Sequence, residues 1–218
     1  MNFSKRARSM IASPIRKLIP YADAVRKEGV QVIPLNIGQP DIPTPPDFLE
    51  AVRHYDVSVL EYANSQGMRK ALETTQLYLH NYGLEFSIDE LLITTGASEG
   101  LNFSLACICD PGDSLIVLEP FYTNYRSLAE AQGIQLHAVT TYAKNNFAVP
   151  DAETLERAYD KSVRGILLSS PSNPTGRVYT REEMQRLVDF TERHELFIIA
   201  DEVYREFNYT DRPFYSFA

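Results

Sequence analysis

The sequence predicts an α/β protein, a three-layer α/β/α sandwich built around a mostly parallel β-sheet. Several short runs are apolar along their whole length, which is typical of strands that are covered on both faces. Segments with helical periodicity separate most of these runs, so helical crossovers would join neighbouring strands and make them parallel. Small and polar residues follow the runs, at the carboxyl ends of the strands, where open sheets of this kind bind their ligands.

The predicted elements follow one another along the chain as helices and strands. Two helices come first, over residues 46–55 and 68–81, and Ser87 with Glu90 has the capping-box pattern of a short helical turn. The apolar runs predict five strands, at residues 91–94, 115–118, 134–139, 166–168 and 197–200. Helices alternate with these strands at residues 98–108, 122–131 and 151–159, and after a second capping box formed by Thr180 and Glu183.

Two parts are predicted from this order, an N-terminal arm and loop over residues 1–45 and a large domain over residues 46–218. The arm is basic and has no acidic residue before Asp23. Such a composition also suits a transit peptide, but a basic arm is the simpler interpretation. The final segment, residues 212–218, is apolar and aromatic and has no capped helix to complete a fold. We therefore expect an N-terminal fragment whose sheet is incomplete at the C-terminus.

Charge and composition exclude several classes of partner. The formal net charge is −8 and the pI about 5.1, so nucleic acid and anionic membrane surfaces are poor partners. No apolar run approaches the roughly 20 residues of a membrane span. Cys107 and Cys109 lie two apart in a predicted helix, where their side chains do not face each other. We expect two buried, reduced thiols, no metal site and a cytoplasmic location.

Residues 96–100, Gly-Ala-Ser-Glu-Gly, support hypotheses from two classes of protein. They match the G-x-S-x-G nucleophile elbow of an α/β-hydrolase and lie between a predicted strand and a predicted helix. That elbow needs an acid and then a histidine later in the chain, but no histidine follows Asp201. The same small residues at a helix N-terminus could instead bind a phosphate through free backbone N–H groups. By itself, the segment is also compatible with an ordinary helix that begins at a glycine.

Two other strand ends carry polar side chains. Asp201 follows the last apolar run, and a carboxylate is costly to bury there unless a cation or hydrogen-bond donors satisfy it. It could cap the following helix, or it could pair with a protonated ring nitrogen, as in pyridoxal-phosphate chemistry. Residues 170–176, Ser-Pro-Ser-Asn-Pro-Thr-Gly, form a predicted loop between a buried strand and a capped helix.

Taken together, these segments resemble the class I/II aminotransferases of fold type I, which depend on pyridoxal 5'-phosphate (PLP), in their aspartate-aminotransferase-like branch. The resemblance extends over nearly the whole chain. Six blocks match in order: residues 35–41, Tyr62 with Gly67, residues 95–99, residues 119–122, residues 173–176 and residues 201–204. The implied fold is the large, PLP-binding domain of these enzymes, and the loop within residues 1–45 would lie on the substrate side.

The resemblance implies how the cofactor would be held. Gly96, Ala97 and Ser98 would bind the PLP phosphate, mostly through backbone N–H groups. Tyr122 would stack on the pyridine ring, although by its residue type alone it could equally be a core aromatic side chain. Asp201 would pair with the ring nitrogen.

Further roles are implied for residues on the other sides of the cofactor. Asn173 and Tyr204 would hydrogen-bond the hydroxyl oxygen of the ring. Gly38, together with Asn173, would lie beside the α-carboxylate of the substrate, since a bare backbone lets a ligand approach closely. Tyr62 would reach the phosphate of a neighbouring subunit, which implies a homodimer.

One residue that the family requires is absent. In the family a lysine follows the strand-end aspartate, binds PLP as a Schiff base and transfers the proton. The lysines of this chain all precede Asp201: Lys5, Lys17, Lys27, Lys70, Lys144 and Lys161. No catalytic residue is therefore assigned, and we expect the 218-residue chain to be inactive. The intact protein would transfer an amino group from an L-amino acid to a 2-oxo acid.

Three other functions stay open at this point. The matching blocks do not separate transamination from other PLP reactions on the same fold, such as C–S lysis or decarboxylation. A serine hydrolase that uses Ser98 is the second alternative, and a non-catalytic PLP-fold module is the third.

Overall fold

The computed structural model describes residues 1–10, 16–35, 38, 40–211 and 213–218. The chain divides into two compact units, one made of Met1–Ile11 with Thr94–Ala218 and the other of Ala12–Ile93. This division falls near residue 93, whereas the sequence suggested a boundary at residue 45, which stays a prediction.

Eight α-helices and four β-strands make up the regular structure of the described residues. The helices are α1 (Lys5–Ser9), α2 (Ile19–Lys27), α3 (Pro46–Arg53), α4 (Arg69–His80), α5 (Ala97–Ile108), α6 (Asn124–Gln132), α7 (Ala152–Ala158) and α8 (Arg181–Arg193). The strands are β1 (Ser114–Glu119), β2 (Gln135–Thr140), β3 (Val163–Ser169) and β4 (Phe197–Asp201). Single 3-10 turns lie at Arg16–Leu18, Ile88–Glu90 and Ala143–Asn145. Among the helices of the described chain, none has both the length and the apolar character needed to span a membrane.

The four strands form one parallel sheet in the order β2-β1-β3-β4. Parallel strands are joined by helical crossovers of one hand. The chain moves in one direction along the sheet from β1 to β2 and in the other direction from β2 to β3 and β4, so the crossover helices cover both faces, as the sequence predicted. Gly165 permits the pairing of β3 with β4, since a Cβ there would lie 2.6 Å from the carbonyl oxygen of Phe197. All four strands end at the same edge of the sheet, where the candidate site lies.

Two apolar clusters cover the two faces of the sheet. Alternate side chains of a strand point to opposite faces, so Ile116 and Val117 belong to different clusters. One face packs against α7 and α8 through Leu155 and Leu187. The other face packs against α5 and α6, and Leu105 is among the residues in that cluster. The predicted three-layer α/β/α sandwich is thereby confirmed.

The apolar run at residues 91–94 is not a β-strand, and the sequence prediction was wrong there. No described strand pairs with this run. The Ile93 N–H donates instead to the carbonyl oxygen of Gln66 at 2.9 Å, and the Gln66 side chain donates to the Leu91 carbonyl oxygen at 2.8 Å. A run of strand-forming residues becomes a strand only where a neighbour completes its hydrogen-bond ladder.

The expectation of two buried thiols was also wrong. Cys107 is exposed and Cys109 is half-buried, and both are free. Helix α5 turns Leu101 and Leu105, four residues apart, toward the core, and Cys107 lies two residues past Leu105 on another face. Burial and the nearby Asp113 carboxylate raise the pKa of the Cys109 thiol to about 11.

A buried ion pair joins the loop after β3 to helix α8. The Arg177 Nη2 donates to both carboxylate oxygens of Glu183 at 2.7 Å, and less than a tenth of either side chain is exposed. The same carboxylate accepts the N–H groups of Thr180, at 2.8 Å, and Val149, at 3.0 Å, so the predicted capping box forms. Burial alone would raise the pKa of Glu183, but these donors and the Arg177 charge outweigh it and lower the pKa.

Replacing Glu183 by Gln should lower the free energy of unfolding by about 3 kcal/mol at pH 7, because Arg177 is left buried without a carboxylate. The folded-state pKa of Glu183 lies below its unfolded value of 4.5, so the contribution is complete above pH 4.5 and is lost as the pH falls through the folded pKa. The stability difference between wild type and variant should therefore shrink from pH 7 to pH 3.5.

Urea unfolding followed by circular dichroism measures both effects. The matched control is Glu182→Gln, since Glu182 is the exposed neighbour on the same helix turn. If Glu183→Gln unfolded at the same urea concentration as Glu182→Gln at pH 7, the buried pair would have no stabilising role.

Candidate functional site

The carboxyl ends of the strands and the N-terminus of α5 enclose a cavity of about 220 Å³. Most of the residues singled out from the sequence line it, and the structure brings them together from segments far apart in the chain. The lining consists of Thr95, Gly96, Ala97, Ser98, Leu101, Tyr122, Ser169, Asn173, Asp201, Val203 and Tyr204.

One side of the cavity is the first turn of α5. Gly96 caps this helix with φ 78° and ψ 167°, a backbone conformation that is essentially restricted to glycine. The N–H groups of Ala97 and Ser98 have no partner within the helix, as in every first helical turn. The Glu99 side chain reaches back and accepts the Thr95 N–H at 2.6 Å, which holds the loop in front of the helix. This end of the cavity suits an anion.

A carboxylate, that of Asp201, also lines the cavity. Asp201 is the last residue of β4 and is half-buried. Its Oδ2 accepts the hydroxyl of Tyr125 at 2.8 Å, and its Oδ1 accepts the Val203 N–H at 3.2 Å. Burial raises the pKa of the Tyr125 hydroxyl far above its ordinary value, and the Asp201 charge and hydrogen bond raise it further. The Tyr125 hydroxyl therefore stays protonated at neutral pH and donates to Asp201.

A pair of neutral polar side chains, Asn173 and Tyr204, also lines the cavity. The Asn173 side-chain amide donates to the hydroxyl of Tyr204 at 3.3 Å, and the Asn173 N–H donates to Ser169 Oγ at 3.0 Å. The Ser170–Pro171 and Asn173–Pro174 peptide bonds are both cis. Amide and hydroxyl groups held side by side can donate to an oxygen of a bound molecule.

Tyr122 provides an aromatic wall. Its hydroxyl accepts a hydrogen bond from the Asn124 side chain at 2.7 Å. Its ring packs edge-on against the ring of Tyr125, with 5.5 Å between centroids and an interplanar angle of 90°. A ring face oriented by these contacts can stack on a flat ligand.

Two of the residues singled out from the sequence belong to the other compact unit. Gly38 and Tyr62 lie within Ala12–Ile93, and both are exposed. A Cβ on Gly38 would meet no atom within 4 Å, and the Tyr62 side chain is fully exposed. Their roles beside a substrate and in a neighbouring subunit stay predictions.

The sequence did not single out Tyr125 or Ser169. Ser169 directly precedes the predicted loop at 170–176, so its place at a strand end was a usable signal. Tyr125 follows Tyr122 by three residues, a spacing that brings side chains together in a helical turn. That signal was ambiguous, because a buried tyrosine on a helix is usually a core residue.

The hydrolase hypothesis gains no support from the geometry. No histidine or lysine lines the cavity in the described part of the chain. His137 instead lies 3.2 Å from the Ala158 carbonyl oxygen, and His194 lies 2.8 Å from the Glu156 carboxylate. Within the described ranges, no group of three or more His, Cys, Asp or Glu side chains is placed to hold a metal ion.

Comparisons with known proteins agree with this geometry. The sequence pattern of the family "Aminotransferase class I and II" matches residues 30–217. The aspartate aminotransferase of Thermotoga maritima is 33% identical over 95% of the chain and 55% of the relative. The aspartate/prephenate aminotransferase of Thermus thermophilus is 30% identical over 97% of the chain and 55% of the relative. The chain thus spans about half the length of the curated relatives it matches.

Solved structures show the same likeness. A single mutant of Thermus thermophilus aspartate aminotransferase has a TM-score of 0.90 to this chain, with 29% identity, and the match covers 99% of this chain and 56% of that one. The aspartate aminotransferase of Thermotoga maritima has a TM-score of 0.89, with 33% identity, and covers 98% and 57%.

Two glycine-to-alanine changes four residues apart should have opposite effects on stability. Gly96→Ala should lower the free energy of unfolding by about 2 kcal/mol, because φ 78° with ψ 167° strains any residue with a Cβ. Gly100→Ala should raise it by about 0.5 kcal/mol, since Gly100 is helical and a Cβ there meets only Thr94 Oγ1 at 3.4 Å. Urea unfolding measures both changes. Equal stability of Gly96→Ala and wild type would contradict the strained cap.

Proposed function

Because the chain belongs to the class I and II aminotransferase family, whose cofactor is PLP, we propose that the intact protein transfers an amino group between an L-amino acid and a 2-oxo acid. The observation that carries this proposal is the strand-end cavity. Its lining brings together a helix N-terminus suited to an anion, the Asp201 carboxylate, the Asn173 amide, the Tyr204 hydroxyl and the Tyr122 ring. This chain would supply much of the cofactor-binding domain.

The groups that line the cavity match those of PLP in charge and chemistry. The phosphate would lie at the first turn of α5, bound by the N–H groups and hydroxyl of Gly96, Ala97 and Ser98. The ring would lie against Tyr122, with its nitrogen toward Asp201. When bound, PLP supplies a ring that withdraws electrons from the bond to be broken at the substrate.

The remaining contacts concern the other side of the ring. Asn173 and Tyr204 are already within hydrogen-bond distance of each other, and both would bond the hydroxyl oxygen of the ring. Asp201 has no described cationic partner, so its charge is available to hold a proton on a ring nitrogen. The task of these side chains is to orient the ring and to keep that proton in place.

We extend the proposal to the substrate and to a second subunit. Gly38 would lie beside the substrate α-carboxylate, where its exposed backbone leaves room for a ligand. Tyr62 would contact the phosphate in a partner subunit of a homodimer, a role supported by its full exposure.

Replacing Asp201 by Asn should weaken PLP binding by about tenfold or more. An amide cannot hold the ring proton by charge, and a charge-assisted hydrogen bond contributes about 1.5–3 kcal/mol. Fluorescence titration of the 218-residue chain with PLP at pH 7.5 measures the dissociation constant.

The matched control for this change is Asp189→Asn. Asp189 is an exposed acid on α8 that accepts a hydrogen bond from the Gln185 side chain. The proposal fails if wild type binds no PLP, or if Asp201→Asn binds PLP as tightly as Asp189→Asn does.

The 218-residue chain should bind PLP without a covalent link and should show no transaminase turnover above a blank with PLP alone. The reason is that no described lysine lines the cavity. Borohydride reduction of the complex followed by peptide mass spectrometry should find only sparse labelling spread over the exposed lysines. Stoichiometric labelling of one lysine, suppressed by excess inorganic phosphate, would show this expectation to be wrong.

A further inference from the structure

Tyr125 lies beneath the cavity and has no role among the contacts proposed above. It is the second residue of α6 and is fully buried. Its hydroxyl nevertheless has a polar partner, since it donates to Asp201 Oδ2 at 2.8 Å. The two residues are 76 positions apart, so this contact depends on the folded sheet and on nothing local.

The ring of Tyr125 makes a second contact with the site. It meets the Tyr122 ring edge-on at 5.5 Å and stacks on the Phe121 ring at 6.4 Å with an interplanar angle of 7°. The Tyr125 N–H also donates to the Tyr122 carbonyl oxygen at 3.0 Å. Tyr125 therefore supports from below both Tyr122, which forms the aromatic wall of the cavity, and Asp201, which forms its acidic end.

We propose that Tyr125 is a positioning residue, whose hydroxyl fixes the Asp201 carboxylate so that its remaining lone pairs serve the ring nitrogen of the cofactor. The inference rests on the proposed function, which it deepens by adding a residue that does not itself touch the cofactor. A carboxylate has about four lone-pair sites, and the two protein donors use about two of them. The others remain for a partner in the cavity.

The hydroxyl of Tyr125 is the stronger of the two restraints on Asp201. Its hydrogen bond is 2.8 Å long, whereas the bond from the Val203 N–H is 3.2 Å long. Short bonds from a donor to an ionised acceptor are the strong ones. The Tyr125 ring is also held in place, because two aromatic neighbours, Phe121 and Tyr122, and the apolar core pack around it. Without the hydroxyl, Asp201 would keep one long hydrogen bond and could rotate away from the cavity.

The test compares two ligands that differ at one atom. The first is PLP and the second is 1-deazapyridoxal 5'-phosphate, in which C–H replaces the ring nitrogen. Tyr125→Phe should weaken PLP binding about tenfold, the loss expected for one charge-assisted hydrogen bond, and should weaken binding of the deaza compound less than about twofold. In the Asp201→Asn background, Tyr125→Phe should cost much less than tenfold, because the two side chains act as one unit.

Partial unfolding of a variant does not distort this comparison. Both ligands bind the folded chain, so a smaller folded fraction weakens both equally and leaves the ratio of their affinities unchanged. Tyr125→Met, which also removes the hydroxyl but fills the apolar space, serves as a second variant if Tyr125→Phe does not fold. Tyr159→Phe is the control, since Tyr159 packs in the other core cluster against Phe190 and His194.

Each outcome decides the question. Selective loss of PLP affinity in Tyr125→Phe, but not in Tyr159→Phe, supports the positioning role. Equal losses for both ligands would show that Tyr125 is only a core residue, and no loss would show that its hydroxyl is dispensable; either result overturns the inference while leaving the proposed function intact. If wild type binds neither ligand, the proposed function fails and the inference fails with it.

Discussion

The parallel pairing of β3 with β4 is the constraint on which the candidate site depends. Its register places Ser169 directly opposite Asp201, and both are the last residues of their strands. The two neighbouring strands therefore end at the same level of the sheet, and the loops that follow them begin side by side. Gly165 makes the close approach possible, since any larger residue would collide with the backbone of Phe197. The cavity at this edge is polar because the strand ends carry polar side chains and backbone groups that need hydrogen-bond partners and are not buried in the apolar core.

Two carboxylates of the same compact unit, those of Glu183 and Asp201, have different roles because their surroundings differ. Glu183 is satisfied within the protein, because it holds the Arg177 guanidinium and two backbone N–H groups. Asp201 has only two neutral donors, and no described lysine or arginine pairs with it. A half-buried carboxylate without a cation favours a positively charged partner. The first carboxylate thus stabilises the fold, and the second is the group of the cavity best able to attract a protonated ring.

Much of this arrangement could be predicted from short-range patterns. The capping boxes at Ser87 and Thr180 both form, because a side chain and a backbone N–H three residues apart are brought together by the helix itself. The apolar runs from residue 115 onward all became strands, since short continuous apolar runs between helices are typical of a parallel sheet. Burial differs among them, because β1 and β3 are largely buried whereas β2 and β4 are partly exposed. The small and polar residues at strand ends, including Asn173, line one cavity because parallel strands share an edge.

The sequence by itself determined the order of the elements, their caps and which polar residues stand at strand ends, because each of these is encoded within a few neighbouring residues. Only the tertiary structure decided what depends on distant partners. The run at residues 91–94 has the composition of a strand, yet no described strand lies alongside to complete its ladder. From the sequence, Tyr125 would be taken for a core residue, yet its hydroxyl donates a hydrogen bond to the Asp201 carboxylate, 76 positions away. A hydrogen bond between residues so far apart in the chain produces no local sequence pattern, because its donor and acceptor come together only in the folded protein.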